Sequence, residues 1–123
     1  MINLSWNGYK LITDDSISKL PKVAGVYKLT TSNVGASQLN NPFYVGQSDD
    51  IYTRTVQHRS KSEENLGIRQ NFEKYAIYIN YATVNNQADR DSVEVALYNH
   101  YKPNCNDKDA LPNVTPATVS SYN

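Results

Sequence analysis

The chain has 123 residues, and its length, composition and charge already exclude several classes of protein. The length fits one domain and is too short for a second of useful size. Twelve basic and twelve acidic residues give a formal charge of zero, which argues against strong nonspecific binding to nucleic acid. A single cysteine excludes an internal disulfide framework and predicts a reducing, cytoplasmic environment. Because no apolar run reaches membrane-spanning length and residues 1–10 do not resemble a signal peptide, we expect neither a membrane span nor secretion.

The first predicted elements are a short helix and a pair of strands. Residues 13–16, with the sequence Thr-Asp-Asp-Ser, are typical of a helix cap. Residues 25–31 are rich in β-branched and aromatic side chains, which predicts a strand, and a second strand is predicted at 43–46. The polar segment 32–41 between them is expected to be a long loop. Strands joined in this way should pair as an antiparallel hairpin.

A helix is predicted directly after the hairpin. Ser48 or Asp49 can cap it, and it runs past His58 with basic residues near its end, as the helix dipole favours. Arg54 and His58 are four residues apart and therefore lie on the same helical face. The basic residues between Arg54 and Lys61 allow a local positive face despite the neutral total charge.

The second half of the chain is predicted to form a helix, a strand and a final helix. Residues 65–75 can form the first helix, and the alternating run at 76–84 is the clearest strand pattern in the chain. Residues 87–101 are predicted to form the last helix, which Pro103 stops. Its core-facing stripe is expected to contain Val93, Ala96, Leu97, His100 and Tyr101.

These elements predict an α+β fold with a small three-stranded antiparallel sheet and packed helices. Their order along the chain is strand, strand, helix, helix, strand, helix. Residues 1–24 are interpreted as an extension that leads into the core, and residues 25–106 as the core domain itself. Residues 107–123 lack periodicity and mix Pro, Asn, Thr and Ser, so this tail is expected to be loosely ordered.

Five motifs stand in a characteristic order within residues 25–106. Gly25-Val26-Tyr27 is followed by Tyr44-Val45-Gly46, by Arg54 with His58, by Val93-Glu94, and by Pro103 with Asn106. Together they resemble the core of the GIY-YIG nucleases, whose fold has the same β-β-α-α-β-α order. The resemblance implies a divalent-metal-dependent DNA endonuclease that hydrolyses phosphodiester bonds and leaves 5′-phosphate and 3′-hydroxyl ends.

Two tyrosines and an arginine suit this chemistry on physical grounds. Phosphodiester cleavage needs an activated water, relief of negative charge in the transition state and stabilisation of the leaving oxygen. Tyr27 and Tyr44 lie on adjacent predicted strands and can direct two hydroxyls toward one phosphate. Arg54 can donate two parallel hydrogen bonds to phosphate oxygens, and its charge is expected to lower the pKa of a nearby tyrosine.

His58 and Glu94 complete the implied catalytic set. The resemblance assigns His58 a role in positioning or deprotonating the nucleophile, while the identity of the general base stays open. It also implies that Glu94 holds a single Mg²⁺ or Mn²⁺ ion, with waters and phosphate as the other ligands. One protein ligand predicts weak metal binding in the absence of substrate.

Three further residues are expected to support the site. Gly46 permits a close approach of the backbone or a turn at the end of its strand. Gln47 stands where many relatives have a lysine, and its uncharged amide shifts work onto Arg54 and His58. Asn106 is expected to fix Glu94 or the active-site loop by hydrogen bonds.

Two hypotheses from different classes follow. The first is an endonuclease acting on DNA, with homodimerisation or a protein partner supplying the choice of target. The second is a nucleic-acid-binding module of the same fold that cuts poorly or not at all, which the neutral charge and Gln47 favour. A structural or inhibitory role has no positive feature in the sequence.

Overall fold

The computed structural model of the chain describes residues 1–31 and 41–123, and these form an α+β fold. The predicted loop 32–41 lies outside the described residues except for Asn41. A four-stranded antiparallel sheet carries helices on both faces. In chain order, the elements are β1 (Lys10–Leu11), α1 (Asp14–Ser18), β2 (Gly25–Thr31), β3 (Tyr44–Ser48), α2 (Ile51–Arg59), α3 (Leu66–Lys74), β4 (Ile77–Thr83) and α4 (Gln87–Tyr101), followed by a 3₁₀ turn at Lys108–Ala110.

The sheet has the strand order β1-β4-β2-β3, with one strand more than predicted. The additional strand, β1, pairs two residues with Tyr78 and Ile79 of β4. A two-residue strand is too short to show an alternating pattern, so β1 could not be predicted from the sequence. The predicted hairpin is confirmed, because β2 and β3 pair antiparallel with Tyr27 opposite Gly46.

The helix caps explain where the helices begin. Thr13 caps α1 through a reciprocal bond pair with Ser16. Helix α2 is capped by Asp50, which accepts from the Thr53 amide, and not by Ser48 or Asp49 as predicted. Ser48 instead accepts from the Asp50 amide and so holds the turn in front of the helix. No helix in residues 1–31 or 41–123 is both long and apolar enough to cross a bilayer.

Each face of the sheet packs against its own hydrophobic cluster. On one face, Leu29 and Ile79 pack with residues of α2 and α3, including Ile51 and Ile68. On the opposite face, the core consists of Val26, Val45, Ala82, Val93, Leu97, Leu4 and Val84. Adjacent residues of β2 therefore serve two different cores, as the alternation of a strand requires.

The tail 107–123, for which loose order was expected, makes defined contacts with the start of the chain and with α4. Val119 forms a parallel bridge with Ile2, and the Ala117 amide donates to the Ser92 carbonyl. Hydrogen bonds between extended segments need no sequence periodicity, which is why composition alone suggested looseness. The prediction that His100 belongs to the core-facing stripe is wrong, because the residue is exposed and its ring stacks on Tyr122 with centroids 3.8 Å apart.

Candidate active site

Tyr27 and Tyr44 approach each other on adjacent strands of the sheet. Their ring centroids are 6.2 Å apart, and Gly46 lies directly across from Tyr27. A Cβ atom at Gly46 would come within 2.6 Å of the Tyr27 hydroxyl oxygen and 2.9 Å of Tyr44 Cε2. Gly46 therefore provides the space in which the two rings meet, and any larger residue would push them apart.

His58 joins Tyr27 to a carboxylate. The Tyr27 hydroxyl oxygen lies 2.6 Å from His58 Nε2, and His58 Nδ1 lies 3.1 Å from Glu63 Oε1. All three side chains are buried, with relative exposures of 2%, 0% and 8%. Sequence reasoning missed Glu63, because it follows the end of α2 in a loop where no helical spacing relates it to His58.

The protonation of His58 follows from its surroundings. Burial, with a smaller contribution from the nearby Arg54 charge, lowers the pKa of His58 to about 3. The imidazole is therefore neutral at physiological pH, with one nitrogen donating and the other accepting. Because a carboxylate can only accept, a proton on Nδ1 would match the Glu63 contact, and Nε2 would then accept from the Tyr27 hydroxyl.

Both tyrosine hydroxyls are harder to ionise than free tyrosine. Burial raises the pKa of Tyr27 well above its ordinary value and also raises the pKa of Tyr44. Arg54 acts in the expected direction and lowers the pKa of each hydroxyl, but burial outweighs it. A free tyrosinate is therefore disfavoured in this site, and any proton that leaves Tyr27 needs an acceptor in contact with it.

Arg54 and Tyr44 line a groove of about 600 Å³ between α2 and the loop that leads to α3. Arg54 Nη1 donates to Gln57 Oε1 at 3.0 Å, and the guanidinium also lies in hydrogen-bonding range of both tyrosine hydroxyls. Tyr27 does not line the groove. A ligand in the groove would therefore meet Arg54 and Tyr44 first, with Tyr27 and His58 behind them.

Glu94 lines a smaller recess of about 170 Å³ on the other side of Tyr44. Gln47 Nε2 donates to Glu94 Oε1 at 3.1 Å and to Asp91 Oδ1 at 2.7 Å. Burial raises the pKa of Glu94, and the Asp91 carboxylate one turn earlier raises it further, while Gln47 and Arg54 oppose them. Gln47, which lies on β3, thus orients the carboxylates of Asp91 and Glu94 on α4, although its amide carries no charge.

Glu94 is the residue at which a divalent ion would fit. Its Oε2 accepts no hydrogen bond from the described residues, whereas Oε1 is held by Gln47. Within residues 1–31 and 41–123, no three His, Cys, Asp or Glu side chains converge as a metal-binding group. Mg²⁺ usually keeps several waters and takes only one or two carboxylates beside substrate phosphate, so one free carboxylate oxygen is compatible with such a weak site.

Asn106 supports the strand rather than the carboxylate. Its side-chain oxygen accepts from the Val45 amide at 2.9 Å, and its side-chain nitrogen donates to the Val45 carbonyl at 2.8 Å. Neither bond goes to Glu94. Asn106 therefore fixes the backbone between Tyr44 and Gly46, the two residues of β3 that shape the tyrosine pair.

The fold gathers most of the predicted site residues on one side of the sheet. Tyr27, Tyr44, Arg54 and His58 are in mutual contact or hydrogen-bonding range, and the Glu94 charge acts on both tyrosine hydroxyls. Comparisons with known proteins add no relative, since no protein-family model, no curated protein and no solved structure matches this chain.

Proposed function

We propose that this chain is a small, divalent-metal-dependent DNA endonuclease of the GIY-YIG type, producing 5′-phosphate and 3′-hydroxyl ends. The observation that carries the proposal is the convergence of Tyr27, Tyr44, Arg54 and neutral His58 within electrostatic reach of Glu94. The elements from β2 to α4 would be the nuclease core, since their order is strand, strand, helix, helix, strand, helix. The proposal includes a cytoplasmic location and a second copy or protein partner that supplies target choice.

Arg54 is the group that would bind the scissile phosphate. Its present partners, Gln57 and the two tyrosine hydroxyls, are neutral. An anionic phosphate can accept two parallel hydrogen bonds from the guanidinium and also attracts its charge, so a phosphate in the groove would compete well for Arg54. When Arg54 turns toward the phosphate, it would also leave the Tyr27 hydroxyl open to a water molecule.

The proton path starts from the hydrogen bond between Tyr27 and His58. As water attacks phosphorus, its proton passes to the Tyr27 oxygen while the Tyr27 proton passes to His58 Nε2. The bond from phosphorus to the 3′ oxygen breaks, and that oxygen takes a proton from solvent. A divalent ion at Glu94 would neutralise negative charge on the phosphate. This concerted path avoids a free tyrosinate, which burial of Tyr27 disfavours.

The burial of Tyr27 favours a second function, that of a nucleic-acid-binding module. Its side chain is only 2% exposed, and its raised pKa suits a hydrogen-bonded structural role as well as catalysis. A nucleic-acid-binding module of this fold that cuts weakly would need Arg54 in the groove but no proton path. Both functions predict that the chain binds nucleic acid, but only the endonuclease is expected to cleave it with measurable turnover.

Cleavage assays separate these functions. Supercoiled plasmid and a labelled branched duplex are incubated with Mg²⁺, Mn²⁺ or chelator, using the wild type, Arg54→Ala and Glu94→Gln. Arg59→Ala and Glu73→Gln are matched controls, because Arg59 ends the same helix in an ion pair with exposed Asp14 and Glu73 is exposed on α3. We expect metal-dependent cutting by the wild type and both controls, and loss of cutting in the two site variants with unchanged circular dichroism.

Fluorescence anisotropy with the same DNA decides the remaining cases. Binding by a wild type that never cuts would establish the binding module, provided that Arg54→Ala weakens it. A wild type that neither cuts nor binds any of these substrates would overturn both functions.

A further inference from the structure

Glu63 is a buried carboxylate whose position is set by the fold around it. Its side chain is 8% exposed, and Oε1 contacts His58 Nδ1. Its backbone is held at both ends of the residue, since its amide donates to the Ser60 carbonyl and its carbonyl accepts from Arg69 Nη1. Burying a carboxylate is costly unless it is hydrogen-bonded, and within residues 1–31 and 41–123 the side chain of Glu63 makes this bond to His58.

The contact decides which nitrogen of His58 can accept a proton. With Nδ1–H directed at Glu63, the lone pair of Nε2 faces the Tyr27 hydroxyl. In the opposite tautomer, the Tyr27 oxygen could still accept from Nε2–H, but Nδ1 and the Glu63 carboxylate would face each other as two acceptors, so the Glu63 contact would be lost. The carboxylate therefore selects the tautomer that the proposed proton path requires.

Glu63 also matters after the proton has moved to His58, because of the charged and polar groups that surround the ring. Tyr44 lies edge-on to the imidazole at 5.2 Å between ring centroids, and the Arg54 charge opposes protonation of the ring. The remaining facing groups are Tyr27, which donates to Nε2, and Glu63. Glu63 thus places a carboxylate oxygen in direct contact with Nδ1 of the ring, 3.1 Å away.

We propose that Glu63 is a positioning residue of the nuclease, holding His58 as the Nδ1-protonated tautomer and stabilising the imidazolium formed when Nε2 takes the Tyr27 proton. This inference rests on the proposed function. The proton moves from the Tyr27 oxygen to Nε2, Nδ1 keeps its own proton, and no proton passes to Glu63.

Nitrogen-15 NMR of the histidine rings tests the tautomer without any substrate. The chain has two histidines, and His100→Asn removes the exposed one, leaving the signals of His58 alone. We expect a protonated Nδ1 and a bare Nε2 at neutral pH in this background. Glu63→Met, which keeps length but removes the acceptor, should shift the ring toward Nε2–H, whereas Glu64→Met, the exposed neighbour in the same loop, should change nothing. An unchanged tautomer in Glu63→Met would overturn the proposal.

Kinetics then test the effect on turnover. Glu63→Met should lower kcat by roughly a hundredfold, the scale of one acid–base contribution, with KM unchanged because Arg54 still binds phosphate. Glu63→Gln keeps an acceptor but no charge, so it should retain the tautomer and recover part of kcat. If Glu63→Met does not fold, Glu63→Gln alone decides, because a kcat equal to the wild type would show that the charge has no role.

The two proposals fail in different ways. A wild type that cuts no substrate removes the proposed function, while the NMR comparison still shows whether Glu63 sets the His58 tautomer. A wild type that cuts normally beside an equally active Glu63→Met keeps the nuclease and removes the role of Glu63.

Discussion

Tyr27 and Lys28 are neighbours in β2 and are buried on opposite faces of the sheet. The two buried side chains have different surroundings. Tyr27 is 2% exposed and Lys28 is fully buried. On the Tyr27 face, hydrogen bonds lead through His58, and Arg54 connects the hydroxyl to a groove. On the Lys28 face, the ammonium ends among aromatic rings beneath the tail. Burial of a polar group is thus no sign of a site by itself, because a site also needs a proton acceptor and a route to solvent.

Lys28 fastens the tail to the sheet. Its Nζ lies 4.3 Å from the ring centroid of Trp6 and 5.2 Å from that of Tyr101. It also donates to the Tyr122 carbonyl and to Asn123 Oδ1. Burial lowers the pKa of Lys28 to about 8, and cation–π contacts offset part of the cost of burying the charge. This face therefore uses Lys28 to hold the tail although burial of its charge is costly, whereas the Tyr27 face links its buried hydroxyl to His58.

The largest effect should come from disrupting the tyrosine face through Gly46→Ala. The new Cβ would lie 2.6 Å from the Tyr27 oxygen, so the rings must separate and the Tyr27–His58 bond must lengthen. We expect turnover to fall by at least about a hundredfold and stability by about 1–3 kcal/mol, the usual cost of overpacking. Plasmid cleavage and urea unfolding measure the two effects.

Gly67→Ala is the matched control for that change. Its Cβ would come equally close to Cys105 Sγ, but in α3 and away from the groove. Its turnover should equal that of the wild type. Equal losses of turnover in both variants would mean that the effect of Gly46→Ala is general destabilisation.

Lys28→Met sharpens the comparison on the other face. The folded-state pKa of about 8 lies below the unfolded value of 10.5, so the folded state binds fewer protons between these two pH values. The free energy of unfolding should therefore rise with pH across pH 8 to 10.5 in the wild type, by up to about 3 kcal/mol from Lys28. Lys28→Met should lose this rise and keep its turnover at neutral pH.

Urea unfolding of both proteins at a series of pH values measures the difference. Subtracting one profile from the other removes the contributions to the free energy of unfolding that the two proteins share. Parallel profiles would show that Lys28 keeps an ordinary pKa in the folded protein.

Asn106→Ala acts on the strand that contributes to both faces. Its two bonds to the Val45 backbone would be lost, and we expect destabilisation of about 2 kcal/mol. Turnover should fall less than in Gly46→Ala, since the tyrosine rings keep their space. Asn104→Ala, an exposed neighbour, is the control in thermal unfolding, and a loss of stability as large as that of Asn106→Ala would contradict the assignment.

The smallest effect is expected from His100→Ala at the margin of the tail face. It removes the stacking of His100 on Tyr122, an aromatic contact worth about 0.5–1 kcal/mol. Cleavage should be unchanged, because His100 is remote from the tyrosine pair. A loss of cleavage in His100→Ala would show that the tail affects the candidate active site, which would contradict the separation of the two faces.

The sequence predicted the elements with long periodic patterns and missed features that depend on tertiary packing. The bounds of β2 and α4 agree with the prediction, because a strand or helix of that length repeats its pattern several times. Asp50 could not be chosen over Ser48 and Asp49, because each can cap a helix and only the backbone turn decides.

The candidate site shows the same division. Tyr27, Tyr44 and Arg54 were identified by motif, yet the depth of Tyr27 and the net rise of its pKa depend on what packs over it. Glu63 lies in a loop of no fixed geometry, so no spacing rule could relate it to His58 before the fold was known.

The segment that follows α4 has a consequence for contacts between copies of the chain. The Cys105 amide donates to the Phe43 carbonyl, and the Asn106 side chain occupies both backbone groups of Val45. β3 is the last strand of the sheet on this side, and free backbone groups there would offer a template for strand addition by another molecule. The Asn106 side chain makes the two hydrogen bonds to Val45 that a further strand would make. A second molecule could therefore extend the sheet at Val45 only after these two bonds were broken.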